Sequence, residues 1–185
     1  MSVLPVYIYG SPVLRKKAKP VLAVSDQIVK LVMDMFETMH SASGIGLAAT
    51  QVGSPHRVIV IDISDLEETK DVKPLTLINP EVISEEGQWV MEEGCLSIPD
   101  VRDDVERAET IRVRFKDTNF NDVELEVNGI LGRVILHEID HLNGVLFIDH
   151  LSTVRKKLHS TSLKQIQKGE IEVSYPVVTA AAISI

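Results

Sequence analysis

Val134-Ile135-Leu136-His137-Glu138-Ile139-Asp140-His141-Leu142 is the stretch on which the reading of this chain turns. Its apolar residues, continued upstream by Ile130 and Leu131, recur at helical spacing, with Asn128 placed as an N-cap and Asn143-Gly144 as a stop signal. On a helix, side chains four apart lie on one face, a turn above each other, so His137 and His141 can reach one metal ion. Glu138 stands angularly close to that face and can handle a proton on metal-bound water. A core helix that happens to carry two histidines is the plain alternative, and the HExxH spacing within an apolar helix weighs against it.

Such a site needs a third protein ligand. His141-Leu142-Asn143-Gly144 begins like the metzincin pattern, but the position where another histidine would stand is Phe147. Downstream, neither Asp149 nor Glu170 sits in a helical acid motif, which turns the search upstream. Cys95 is the only cysteine of the chain, so it has no intramolecular disulfide partner, and a thiolate is a strong ligand for iron, zinc or cobalt. A lone cysteine is often a small buried apolar residue. Glu92, Glu93 and Gly94 in front of Cys95 make a poor setting for that, and carboxylates nearby would raise a free thiol's pKa unless a cation held it deprotonated. Cys95, His137 and His141 would leave a fourth position for water, the mark of a catalytic metal.

Gly44-Ile45-Gly46-Leu47-Ala48-Ala49-Thr50-Gln51-Val52-Gly53 follows a helical stretch and precedes the strand-like run Arg57–Ile63. Glycines there allow a positive φ or the close approach of a ligand, though a helix C-cap and a small-residue turn would use them equally well. The spacing is not GxGxxG and no lysine is at hand for a phosphate. Gln51 is the one polar amide in this small apolar segment, and a substrate oxygen is one partner it could serve.

These three segments together resemble the peptide deformylases: Gly44 to Gln51, then Glu93-Gly94-Cys95-Leu96-Ser97, then His137-Glu138-Ile139-Asp140-His141, in that family's order and at similar separations. The motifs run from about Gly44 to Leu142, family-like flanks extend the similarity to roughly Leu151, and the segment from about 152, where members of the family differ, is not covered. The resemblance implies removal of the formyl group from the N-terminal formylmethionine of newly synthesised polypeptides, with release of formate. It further implies one divalent metal per chain, Fe²⁺ by preference, with Zn²⁺, Ni²⁺ or Co²⁺ able to occupy the site. Carried over position by position, Cys95, His137 and His141 hold the metal, and Glu138 is the general acid/base. Gln51 and the Leu96 N–H stabilise the oxyanion, and the backbone around Gly46 binds substrate. In that chemistry metal-bound hydroxide attacks the formyl carbon, and losing one oxyanion donor typically costs about 10²–10³ in kcat. A peptidase cutting internal bonds and a metal-bound but inactive interaction module are the competing readings. Cys95 with the missing third histidine argues against the first, and Glu138 with Gln51 against the second.

Length and composition suit a catalytic domain. The 185 residues predict one domain over 1–185 with a substantial core, and 44% hydrophobic and 25% charged residues are ordinary for a globular protein. A net charge of −8 argues against direct, sequence-specific nucleic-acid binding. A single cysteine fits a reducing compartment; no signal-peptide pattern or membrane-spanning run is evident, so the expectation is a cytoplasmic monomer acting on N-formylmethionyl polypeptides.

The expected fold class is α+β: antiparallel β-sheets surrounding the central HExxH helix, with a second helix upstream. That second helix is capped by Ser25-Asp26 and carries Ile28, Leu31, Val32, Met35, Phe36 and Met39 on one face. Strands are expected at Arg57–Ile63, Leu75–Ile78, Ile111–Phe115 and Val123–Val127, with a polar loop over Ser64–Pro74. His40 reads as a partner of its helix dipole, Trp89 as packing, and His56, His150 and His159 as surface or packing residues. Asp140, if buried, needs a cation, for which Arg107 or Arg133 is available. Arg155, Lys156, Lys157, Lys164 and Lys168 form a basic stretch, most simply a solvated helix face; ribosome contact is the weaker alternative. The apolar tail from Val173 to Ile185 is expected either to add a strand or to be loose.

Overall fold

Apolar side chains all round a helix force it inside, and the HExxH segment obeys. In the computed structural model, which describes residues 1–180, every residue from Gly132 to Ile139 is buried. The chain forms strand β1 (Val6–Tyr7), helix α1 (Asp26–Ser41), β2 (Gly46–Ala48), β3 (Val58–Ile61) and β4 (Leu75–Glu86). It continues through β5 (Trp89–Cys95), β6 (Ile98–Arg107), β7 (Thr110–Lys116) and β8 (Asp122–Asn128) into the central helix α2 (Gly129–Leu142). Helices α3 (Thr153–Leu158) and α4 (Ser160–Lys168) and strand β9 (Val177–Val178) follow.

The main sheet has the order β2-β3-β4-β7-β8 and is antiparallel throughout; β5 and β6 form a separate antiparallel hairpin, and β1 pairs in parallel with β9. One core cluster joins Ile59, Ile61, Leu77, Ile111 and Val113 of the main sheet to Val134, Ile135 and Leu142 of α2. A second packs Ile98, Val101 and Val105 of the hairpin on Leu163 and Ile166 of α4, and a third packs α1 on β2 and β3. Each fully buried aliphatic side chain contributes roughly 1.5–3 kcal/mol. This is the α+β arrangement expected, with antiparallel sheets around α2 and a helix upstream.

The expected strands are all present, some with shifted ends. Val58–Ile61 is shorter than the expected run, whereas β4 continues through Asn79-Pro80 to Glu86, well past Ile78. Asn79 takes a positive φ of 54° and its side chain bonds the Val21 N–H and C=O at 2.8 Å each, while the β4–β7 register shifts between Ile78 and Glu81. That bulge accommodates the proline and lets a polar second half stay in the ladder. Ser25 caps α1 by accepting from Ile28 N–H at 3.4 Å, as expected. Asn128 occupies the cap position of α2, but its side chain makes no capping bond. The expected stop is real: Gly144 takes a φ of 75°, and a Cβ there would stand 2.6 Å from the Arg15 carbonyl oxygen.

The polar stretch 64–74 holds no strand, only a short 3-10 turn at Glu67–Thr69. His40 is 2.8 Å from Asp62, a partner beyond its helix dipole. His159 binds the buried Asp103 at 2.7 Å, and Arg155 binds it too, so part of the basic stretch docks α3 and α4 onto β6 instead of facing solvent. Lys157, Lys164 and Lys168 are exposed. The tail contributes the added strand β9 as far as it is described, and its last five residues, 181–185, lie outside the described residues. Among the described residues no helix is long and apolar enough to cross a membrane.

Candidate metal centre

Strand β5 ends at Cys95, and the turn Leu96-Ser97 returns the chain to Ile98 of β6. The turn end of that hairpin, with Cys95, faces α2. His137 and His141 stand one turn apart, their rings edge to face at 5.0 Å, and Cys95 Sγ lies 3.1 Å from His141 Nε2. One ligand atom from each of the three lies within 4.8 Å of the others, the one such group among the described residues. Cys95 is half-buried and both histidines are buried.

His137 is oriented from behind by a residue the sequence reading placed only as a neighbour of Cys95. The Glu93 carboxylate is 2.9 Å from His137 Nδ1, so the ring donates there and turns Nε2 inward. Glu93 is itself buried and accepts from Arg107 Nε at 2.6 Å and from Arg133 Nη1 at 2.9 Å. Burial works against its charge, but hydrogen bonds from His137 and Arg107 win and hold the carboxyl well below the ordinary range. Arg107 also reaches Asp140 at 2.7 Å, which His150 meets from the outside at 2.7 Å. Of the two arginines considered for Asp140, Arg107 is therefore the partner, while Arg133 serves Glu93, the Val105 and Trp89 carbonyls, and the Trp89 ring. Trp89 is thus more than packing. The carboxylate of Glu93 is engaged by two arginines and His137 rather than facing the thiol, while Glu92 is exposed.

The two imidazoles diverge. Burial disfavours the His137 imidazolium, yet its contacts with Cys95 and Glu93 outweigh burial and raise its pKa well above the ordinary value. His141 is pulled well below it, by burial and then by the charge on His137. Two buried rings and a half-buried thiol thus crowd their donor atoms into one spot. A divalent cation would satisfy all three donors, and the mixed N/S set suits a first-row transition metal.

Glu138 follows His137 into the cleft, only 4% exposed, and its Oε2 has no hydrogen-bond partner among the described residues. Burial above all raises its carboxyl to about 7. Gly46 explains how it fits: a Cβ there would stand 2.6 Å from Glu138 Oε1 and 2.7 Å from Val134. Gln51 lies in a short 3-10 helix, Ala49–Val52, just after β2. Its Oε1 accepts from Ala48 N–H at 2.8 Å, which turns the NH₂ toward Ser97 Oγ at 3.2 Å and Cys95 Sγ at 3.6 Å.

A cleft of about 630 Å³ opens over this group, lined by Gly46, Gln51, Cys95, Leu96, His137 and Glu138. His141 closes its back through the contact with Cys95. All seven sequence-derived site residues therefore meet in one place. Ile130, Val134 and Met91 give the cleft an apolar side, with Arg133 beside them, and residues 172–175 of the tail form another wall. Glu93 and Tyr175 were missed as site residues. An acid two before the cysteine in a strand was a signal for Glu93, since residues two apart share a face; the tail offered none for Tyr175.

Residues 3–157 match the family described as polypeptide deformylase. The chain is 46% identical to the peptide deformylase of Salinibacter ruber over 185 aligned positions, 96% of this chain and 95% of that one. It is similar in structure to the peptide deformylase of Ehrlichia chaffeensis solved with actinonin, at a TM-score of 0.83 and 36% identity, covering 93% of this chain and 100% of that one. A class I type b peptide deformylase from Acinetobacter baumannii, bound to Met-Ala-Ser, matches at a TM-score of 0.77 and 36% identity, covering 82% and 100%.

Proposed function

The chain belongs to the polypeptide deformylase family, metal-dependent enzymes that remove N-formyl groups from nascent peptides, and we propose how its own residues carry that reaction out. The substrate is a polypeptide beginning with formylmethionine, and formate is released. The observation that carries this reading is the meeting of the buried Glu138 with the Cys95, His137 and His141 group at one cleft. The Met-Ala-Ser peptide seated in the related Acinetobacter baumannii protein supports a methionine-first peptide.

Cys95, His137 and His141 would hold the metal, with Fe²⁺ the first choice and Zn²⁺, Ni²⁺ or Co²⁺ alternatives. When bound, such an ion supplies a Lewis acid that makes a water acidic enough to react near neutral pH. Glu138, with a carboxyl raised to about 7, is matched to taking a proton from that water and returning it to the leaving amine. The Gln51 NH₂, fixed by its bond to Ala48 N–H, and the Leu96 N–H on the β5–β6 turn would receive the developing negative charge. Gly46 leaves room for the scissile amide beside Glu138, and Ile130, Val134 and Met91 offer an apolar side for the methionine chain. The whole chain would act as one catalytic unit, monomeric and in the reducing cytoplasm where a thiolate ligand survives. Ribosome contact through Lys157, Lys164 and Lys168 is a weaker reading, supported only by their exposure.

Formate release from formyl-Met-Ala-Ser, followed with anaerobically purified protein of known metal content, tests the reaction. Wild type should turn over; Cys95→Ala should lose metal and activity together; Glu138→Gln should keep metal and lose about 10³-fold in kcat, within the usual span for general acid–base groups. A fully metallated wild type that releases no formate overturns the reading, and cleavage of the Met-Ala bond would replace it with the peptidase.

A further inference from the structure

Tyr175 lies in the segment that no sequence motif covers, yet its hydroxyl donates to the Leu96 carbonyl at 2.8 Å. Residues 172–175 line the cleft, and the chain just beyond them is zipped to the N-terminal strand β1. Val6 N–H donates to the Pro176 carbonyl at 2.9 Å and Ile8 N–H to the Val178 carbonyl at 3.1 Å, the parallel β1–β9 ribbon. One residue further on, Tyr9 N–H donates to the Ser97 carbonyl at 2.8 Å. Both carbonyls of the Leu96-Ser97 turn are thus held by residues flanking this ribbon, Tyr175 just before β9 and Tyr9 just after β1, while the Gln51 NH₂ donates to the Ser97 hydroxyl at 3.2 Å.

The turn needs such support. The β5–β6 register shifts between Gly94 and Cys95, so the ladder is irregular where a ligand and a backbone donor must be aimed. Peptide planes in a two-residue turn rotate unless their groups are bonded, and an N–H that serves a reaction must be aimed before the substrate arrives. The Leu96 N–H lies in the peptide plane before Leu96 and its carbonyl in the plane after, so holding that carbonyl restrains the N–H through the Leu96 Cα on one side while β5 restrains it on the other. Burial, with the nearby Cys95 and Asp100 charges, pushes the Tyr175 phenol up to about 12, so it remains a donor at any working pH.

We propose that Tyr175 is a positioning residue for the reaction in the cleft: by holding the Leu96-Ser97 turn it sets the Leu96 N–H, which makes the C-terminal strap part of the active site. The proposal rests on the deformylase reading for its functional half. Its structural half stands on the hydrogen bond alone.

Tyr175→Phe removes one oxygen and keeps the ring, so the strap should stay folded. Two measurements on wild type and variant decide the matter: steady-state hydrolysis of formyl-Met-Ala-Ser with metal content matched, and amide hydrogen exchange at Leu96 and Ser97. The expected result is a kcat about tenfold lower with KM within twofold, which is milder than removing an oxyanion donor outright, together with faster exchange at those two amides. The absorption spectrum of the Co²⁺-loaded variant should keep its thiolate band, since Cys95 remains anchored in β5. Unchanged kcat, or a loss that tracks lost metal, overturns the positioning role. If the wild type releases no formate, the deformylase reading falls and exchange alone decides: acceleration upholds the clamp, and identical exchange overturns it.

Discussion

Helix α2 and the β5–β6 hairpin each put side chains into the same centre, but they do so by different means. In α2 the spacing of a single helix sets the face: His137 and His141 share it because they are four apart, and Glu138 is carried along with them. In the hairpin, alternation puts Val101, Asp103, Val105 and Arg107 of β6 on the inner face, and two of those four are charged. The helix pays attention to local geometry alone, whereas the hairpin works only when Glu93, Arg107, Arg133, Asp140 and His137 have all found one another. Local patterns specify a ligand's direction; a buried ion network specifies it only after folding.

That difference predicts where damage spreads furthest. Glu93→Ala leaves Arg133 and one side of Arg107 buried without their carboxylate, which should cost about 3–5 kcal/mol. The same change frees the His137 ring and should weaken metal affinity about 10–100-fold. Denaturant unfolding and metal titration read the two effects, and Glu93→Gln should recover part of both. If Glu93→Ala costs no more than cutting the exposed Arg112–Glu126 pair, the hairpin network holds nothing.

The next effect belongs to the helix. In metal-free protein the folded state raises the Glu138 carboxyl from about 4.5 to about 7, mainly by burial. The unfolded chain releases that proton first, so stability is highest below about 4.5, falls as pH rises, and has paid the full ionisation penalty above about 7. The penalty is about 3 kcal/mol before any relaxation of the site. Glu93 has the opposite sign: its lowered pKa contributes stability above the ordinary carboxylate range and loses it as the pH falls further. The two windows separate, so apo wild type should lose stability relative to Glu138→Gln between about pH 4.5 and 7. Parallel curves for the two proteins would mean that Glu138 is solvated.

How much could be read in advance follows the same division. The meeting of Cys95, His137, His141, Glu138 and Gln51 in one place, and both main helices, were legible because each depends on spacing within one short segment or on an uncommon residue in an apolar setting. The hairpin was not assigned as strands: Asp103 and Arg107 break the apolar alternation of β6, and their partners Arg155, His159 and Glu93 lie elsewhere in the chain. The second half of β4 escaped for another reason, since Asn79-Pro80 reads as a terminator unless Val21 is known to hold Asn79. Tyr175 was invisible because its partner is a backbone carbonyl 79 residues away.

Gly46→Ala probes the line between the two regions, where β2 passes the helix. The added Cβ would stand 2.6 Å from Glu138 Oε1 and 2.7 Å from Val134 Cγ1, and overpacking of that kind costs roughly 1–3 kcal/mol. Activity should fall more than stability does, by about 10–100-fold, because the displaced atom belongs to Glu138, the proposed proton carrier. Metal content should be unchanged. Loss of metal instead would show that Val134, one turn below His137, moved rather than Glu138.

The smallest effect sharpens the comparison within the helices themselves. Ser25 and Asn128 are both good N-cap residues by type, and both sit at the cap position. Only Ser25 makes the bond, to Ile28 N–H, so Ser25→Ala should cost about 1 kcal/mol while Asn128→Ala costs a few tenths. The reason lies in what precedes each helix. Asn128 is the last residue of β8, paired with Thr110, and Gly129 enters α2 at a φ of 59°, so the chain turns on the glycine's backbone freedom. Equal costs for the two substitutions would mean that Asn128 caps α2 in solution; the unequal costs expected here would show that α2 starts where β8 and Gly129 deliver it, even though its own spacing puts His137 and His141 on one face.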